Sequence, residues 1–146
     1  MLVTAPATAT WEALVAYVSR THLGIGSGFA ALVGAEHRAV RGELPEEGAA
    51  FPGFAVTESV PGKCLTLAGR HRFSRYALGF VLTGDARGTV LAARSYGVFP
   101  GLTGRTYRTL VIGLGPHRLL VRRMLRDVAR IAQRRDPRQR APHPGG

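Results

Sequence analysis

The chain has 146 residues, 45% of them hydrophobic, which is enough for one domain to bury a core without help from disulfides or metal. Its single cysteine, Cys64, excludes an internal disulfide framework and any multi-cysteine zinc or iron–sulfur centre. The net charge of +11 rests on nineteen arginines and one lysine, Lys63, a bias that GC-rich coding also produces. It favours anionic partners, but none of the common nucleic-acid-binding modules accompanies it, which argues against nucleic acid. The opening residues lack the basic start and apolar run of a secretory signal, and no uncharged stretch is long enough to span a bilayer. A cytoplasmic protein is expected.

In chain order, a short extended piece from Leu2 to Ala5 runs into Pro6, and Thr8 or Thr10 can cap a helix beginning near Trp11. Trp11, Leu14, Val15 and Val18 then fall on one helical face, and Gly24, Gly26 and Gly28 end the element. A second helical piece is expected from Phe29 to Val33, followed by an acidic Gly- and Pro-containing loop from Gly42 to Gly53. Strands follow at Phe54 to Val60, Lys63 to Arg70 and Phe73 to Thr83, the first two separated by the Pro61-Gly62 turn. Gly84 to Gly88 reads as a hairpin loop, and Thr89 to Phe99 as the returning strand, ending at Pro100-Gly101. Loops this short require antiparallel pairing.

From Thr103 to Arg135 the period becomes helical. Tyr107, Leu110, Leu114, His117, Val121, Met124, Val128 and Ile131 recur at intervals of three and four, and Arg118, Arg122, Arg126 and Arg130 recur every four on another face. Gly113 and Gly115 interrupt the early part, so the main helix is expected to start near Pro116, a favourable first-turn residue. Asp127 is placed to pair with Arg123. One domain over 1–135 and a disordered tail over 136–146 are expected.

This order of elements resembles the helix-grip fold of the START-like, or SRPBCC, superfamily, which includes lipid-transfer domains and polyketide cyclases. The resemblance is carried by Ala5-Pro6-Ala7 before Trp11-Glu12, by Pro61-Gly62 before a strand, by Gly88-Thr89-Val90-Leu91, and by Phe99-Pro100-Gly101 leading to Tyr107-Arg108 and the last helix. It implies an α+β fold in which a curved antiparallel sheet wraps around a long C-terminal helix, with a cavity between them for a hydrophobic or amphipathic small molecule. The first strand of that fold is longer than the few residues before Pro6, which implies a short sheet edge or a misplaced start. These motifs are structural punctuation and carry fold, not activity.

The last two strands offer two layers, and the expected pairing groups Tyr76, Leu78, Phe80 and Leu82 with Val90, Ala92, Arg94 and Tyr96, against Ala77, Gly79, Val81, Leu91, Ala93 and Ser95. If the small-residue layer faces the helix there is room for a ligand; if the aromatic layer does, the core is filled. Arg94, among apolar neighbours, must reach solvent or find an anion. Turned inward, it would hold a carboxylate or phenolate head group, with Tyr76, Tyr96 and Tyr107 supplying hydroxyls and His117 in the helical roof.

Other chemistry is weakly signalled. Gly24 to Gly28 follows a helix and lacks the ending of a phosphate loop, so it reads as loop or cavity lip. His71 reads as part of an exposed basic cluster with Arg70 and Arg72, Ser74 and Ser95 show no histidine partner, and Cys64 reads as a small buried residue. His22, His37 and His143 lack metal-ligand spacing, so neither a metal nor a cofactor is expected. Binding of an apolar small molecule is the first expectation. The alternatives are a cyclase- or dehydratase-type enzyme in the same fold, and contact of the arginine stripe with an anionic membrane or nucleic-acid surface.

Overall fold

The computed structural model describes residues 1–21, 34–37, 39–72, 74–98 and 116–135, with the backbone alone at Pro116 and His117. The expected loop at 24–28, the helical piece at 29–33, Tyr107 and the tail lie outside the described residues.

Six strands among the described residues form one antiparallel, curved sheet in the order β1-β6-β5-β4-β3-β2. They are β1 (Leu2–Val3), β2 (Ala50–Phe51), β3 (Phe54–Val60), β4 (Cys64–His71), β5 (Ser74–Asp85) and β6 (Gly88–Val98). Helix α1 (Ala7–Thr21) and helix α2 (Pro116–Arg135) complete the described elements. The α+β sheet-and-helix architecture expected from the sequence is therefore present. The meander β2 to β6 follows from turns too short for any other pairing. At Pro61-Gly62, Gly62 takes φ 73° and the Lys63 N–H donates to the Val60 carbonyl at 2.9 Å.

Between β5 and β6 the connection is tighter than the five-residue loop expected. Asp85 pairs directly with Gly88, leaving only Ala86 and Arg87 between them. A two-residue connection pairs even-numbered residues of β5 with odd-numbered residues of β6, so Phe80 faces Ala93, Leu82 faces Leu91 and Leu78 faces Ser95. The expected layering is corrected by one residue: the aromatic layer of β5 shares its face with Leu91, Ala93 and Ser95, while Arg94 and Tyr96 stand on the other. Gly88 also allows β1 to approach, because at φ 147° a Cβ there would lie 2.2 Å from the Val3 carbonyl oxygen.

The inner face is sealed by apolar residues. Leu65, Leu67, Phe80, Leu91 and Val3 are fully buried against Leu14 and Val18 of α1 and Val128 of α2. Each large aliphatic side chain withdrawn in this way contributes about 1.5–3 kcal/mol. In α1 the buried set includes Thr10, Trp11, Leu14 and Val18, close to the expected stripe, with Val15 half-buried. In α2 the buried centre is Met124, Val128, Ala129 and Ala132, while Val121 and Ile131 pack at its margin. The helix is anchored to the start of the chain by Gln133, whose amide donates to Thr4 Oγ1 at 2.9 Å. Asp127 pairs with Arg130 at 3.5 Å, not with the expected Arg123. Among the described residues the buried side-chain polar groups are satisfied: Thr89 Oγ1 donates to the Ala5 carbonyl at 2.8 Å and Thr10 Oγ1 to the Pro6 carbonyl at 3.0 Å.

One contact sets the shape of the wide end of the sheet. The Tyr76 ring lies across Gly69 of β4, where a Cβ would meet ring carbons at 2.7 and 2.8 Å and the Gly53 carbonyl oxygen at 2.0 Å. The Gly69→Ala substitution is expected to displace Tyr76 and lower stability by about 1–3 kcal/mol, the usual cost of overpacking, measurable by urea denaturation.

Candidate functional site

At the end of the sheet where β4 turns into β5, the inner face changes from aliphatic to aromatic and polar. Phe51 stacks on Phe54 with centroids 5.7 Å apart, Phe54 meets Tyr76 edge-on at 5.1 Å, and Tyr76 lies 5.5 Å from the His71 ring. The Tyr76 hydroxyl donates to the Gly53 carbonyl at 2.5 Å, so its proton is committed. Facing Tyr76 across the strands is Gly97, and facing Leu78 is Ser95. Tyr76 and Leu78 are half-buried and Ser95 and Gly97 are exposed, in contrast to the sealed rows of Leu65, Phe80 and Leu91 further along.

His71 and Ser74 form a pair. They face each other as the last pairing of β4 with β5, and Ser74 Oγ lies 3.1 Å from His71 Nε2. His71 is half-buried, not part of the expected exposed cluster, and Ser74 has a histidine partner where none is expected from the sequence. The signal was the hairpin: once only Arg72 and Phe73 separate the strands, residues 71 and 74 must be opposite. Burial pushes the His71 imidazole below its ordinary pKa and keeps it neutral at physiological pH.

Two openings adjoin this end and share Glu36 and Arg70, whose side chains pair at 3.5 Å. The first, about 440 Å³, lies between residues 34–36 and the Arg70, His71 and Arg72 turn. Its wall is held by the Glu36 N–H, which donates to the Arg70 carbonyl at 2.9 Å, and by the Gly53 N–H, which donates to the His37 carbonyl at 2.8 Å. The second, about 420 Å³, is a groove on the outward face, with Ala55, Ala68 and Ala77 as its floor and Tyr96, Val98 and Arg75 at its side. Both are broad and open.

The five residues expected to bind a ligand are therefore divided. Tyr76 lies on the inner face. Arg94 and Tyr96 are exposed on the outward face, since the neighbouring Ala93 and the cross-strand Phe80 point into the core. Arg94 reaches solvent, the first of the two outcomes open to it, and the two-residue hairpin rules out the inward head-group role. His117 falls in the first turn of α2, with its side chain outside the described set, and Tyr107 lies outside it altogether. Cys64 is half-buried on the outward face, not in the core, and burial, with the Glu58 carboxylate beside it, pushes its thiol pKa up. At the seam between the helices, Tyr17 is likewise raised by burial and by the Asp127 carboxylate, against the opposing Arg123 guanidinium. Among the described residues no three His, Cys, Asp or Glu side chains converge as metal ligands would, and no helix is long and apolar enough to cross a membrane.

No family model matches the chain. No curated protein matches it either. Among solved structures, protein MLL2253 from Mesorhizobium loti superposes with a TM-score of 0.55 at 17% identity, over 93% of this chain and 95% of that one. CalU16 from Micromonospora echinospora aligns at 16% identity with a TM-score of 0.46, over 90% of this chain and 77% of its own. The first likeness supports the fold and nothing beyond it.

The depressed His71 pKa has a consequence for stability. Unfolding restores the ordinary value near 6.5, so between the two pKa values the unfolded chain binds more protons than the folded one. The contribution of neutral His71 is complete above about pH 6.5 and is lost as pH falls toward the folded value. Thermal melts of the native protein are expected to fall in temperature over this window, with a smaller fall in His71→Gln.

Proposed function

We propose that the protein binds an apolar or amphipathic small molecule against the inner face of the sheet, in the manner of the START-like helix-grip domains that its sequence resembles. The observation that carries this reading is the unsealed inner patch. Tyr76, Leu78, Ser95 and Gly97 share the face of the core but are half-buried or exposed, whereas rows one and two positions further along are closed. An apolar body lying on Leu78 and the Tyr76 ring would recover the burial that these residues lack. Its polar end would lie toward His71 and Arg72 at the adjoining opening, which suit a carboxylate or phenolate.

Native mass spectrometry of the purified protein is expected to reveal a copurifying lipid or aromatic compound. A fatty-acid or polyphenol probe should bind the native chain and lose about tenfold or more in affinity in Leu78→Trp, which fills the patch, an effect equivalent to about 1.4 kcal/mol. Arg94→Leu, on the opposite face, should leave affinity unchanged. Equal binding by native protein and Leu78→Trp would sink the reading.

A second reading, turnover of a polyketide-like substrate of the cyclase or dehydratase type, is favoured by the His71 and Ser74 pair. An imidazole kept neutral by burial can accept a proton near pH 7, and Ser74 fixes its ring. On this reading His71→Gln abolishes turnover of a poly-β-ketone substrate and leaves its binding within about twofold, as expected of a general base. Binding without turnover in the native protein would leave the first reading standing alone.

A further inference from the structure

Helix α2 carries a face that its packing does not explain. Its twenty residues hold seven arginines and one acid, Asp127, whose carboxylate is taken by Arg130 at 3.5 Å. Arg118, Arg122, Arg123 and Arg126 are all exposed. Within this group stand two adjacent leucines, Leu119 at 66% exposure and Leu120 at 61%. Leu119 precedes Arg122 and Arg123 by three and four residues, so it sits among the guanidiniums, whereas Leu120, three residues before Arg123 and four before Met124, stands where the arginine face borders the row of Met124, Val128 and Ala132 that packs inward.

A solvated helix face accounts for the arginines but not for two large aliphatic side chains held in water beside them. A nucleic acid would satisfy the arginines through phosphate and leave the leucines where they are. An anionic bilayer meets both: headgroup phosphates and carboxylates take the guanidiniums, and the leucines enter the headgroup and acyl boundary. The charge of the whole chain, +11, acts in the same direction.

We infer that this arginine and leucine face of α2 docks on an anionic phospholipid surface, with the helix lying along the membrane plane. The inference rests on this face alone and is independent of any ligand held under the sheet. Flotation of the full chain with phosphatidylcholine vesicles, with and without phosphatidylserine, tests it. Binding is expected only to the phosphatidylserine vesicles, falling steeply as salt is added. Leu119→Ser with Leu120→Ser should weaken it about tenfold or more, because both lose apolar insertion while the arginines remain. Arg122→Glu with Arg126→Glu should abolish it, and Arg87→Gln, in the β5 to β6 turn, should leave it unchanged. Circular dichroism and melting temperature establish that each variant is folded, and these positions are exposed enough to accept the changes. Absence of binding to phosphatidylserine vesicles at low salt overturns the inference. So does an undiminished affinity in the folded double-serine variant, or tighter binding of single-stranded RNA than of vesicles.

Discussion

The two-residue turn between Asp85 and Gly88 is the constraint on which the rest of the molecule depends. Because strand side chains alternate with a period of two, the number of residues in this connection decides the face of every residue in β6 relative to β5. Two residues put Leu91 and Ala93 beneath the helices with Leu82 and Phe80, and put Arg94 and Tyr96 in water. One more residue would bring the Arg94 guanidinium into an apolar layer, where no carboxylate faces it from β5. The turn holds its geometry through Gly88 at φ 147° and through the Arg87 N–H, which donates to Asp85 Oδ1 at 2.9 Å.

From that register the two sides of the sheet acquire different characters. The inner side is sealed where α1 and the C-terminal half of α2 lie over it, and it opens toward the turn of β4 into β5. Opening and polarity coincide: the residues left uncovered are those next to His71, Ser74 and the arginines of the adjoining cleft. The imidazole lies against Tyr76, the last ring of the aromatic row with Phe51 and Phe54 that supports the patch. A neutral base, a committed phenol and an unsealed apolar surface thus arise together from one strand end.

Much of this was legible in the sequence. The span Phe54 to Val60 was read to the residue because alternation and a Pro-Gly turn agree there, and the helix at Pro116 was marked by a residue that favours the first turn. Misreadings came where one residue of loop length changes the outcome. Placing Gly84 in the loop and not in the strand is enough to group Arg94 and Tyr96 with the aromatic layer of β5, and ending β4 at Arg70 hides the pairing of His71 with Ser74. Helical periodicity also located the buried stripe of α2 but underrated its alanines, since Ala129 and Ala132 allow close approach to α1 without adding to an apolar count. The exposure of Leu119 and Leu120 was invisible to periodicity, which reports the face a residue occupies and not what covers it.

The hydrogen bond between Gln133 and Thr4 joins positions 129 apart in the chain. Beside it, β1 adds to β6 through pairs such as Leu2 with Val90, also distant in sequence, whereas β3 to β6 pair with their immediate successors. Loop-closure entropy penalises the first group far more than the second. The meander can assemble from local hairpins, but the sheet gains its last edge and its helical cover only when both ends of the chain return to the same place. The ends are therefore a single cooperative unit, and loss of residues from either one would loosen the other.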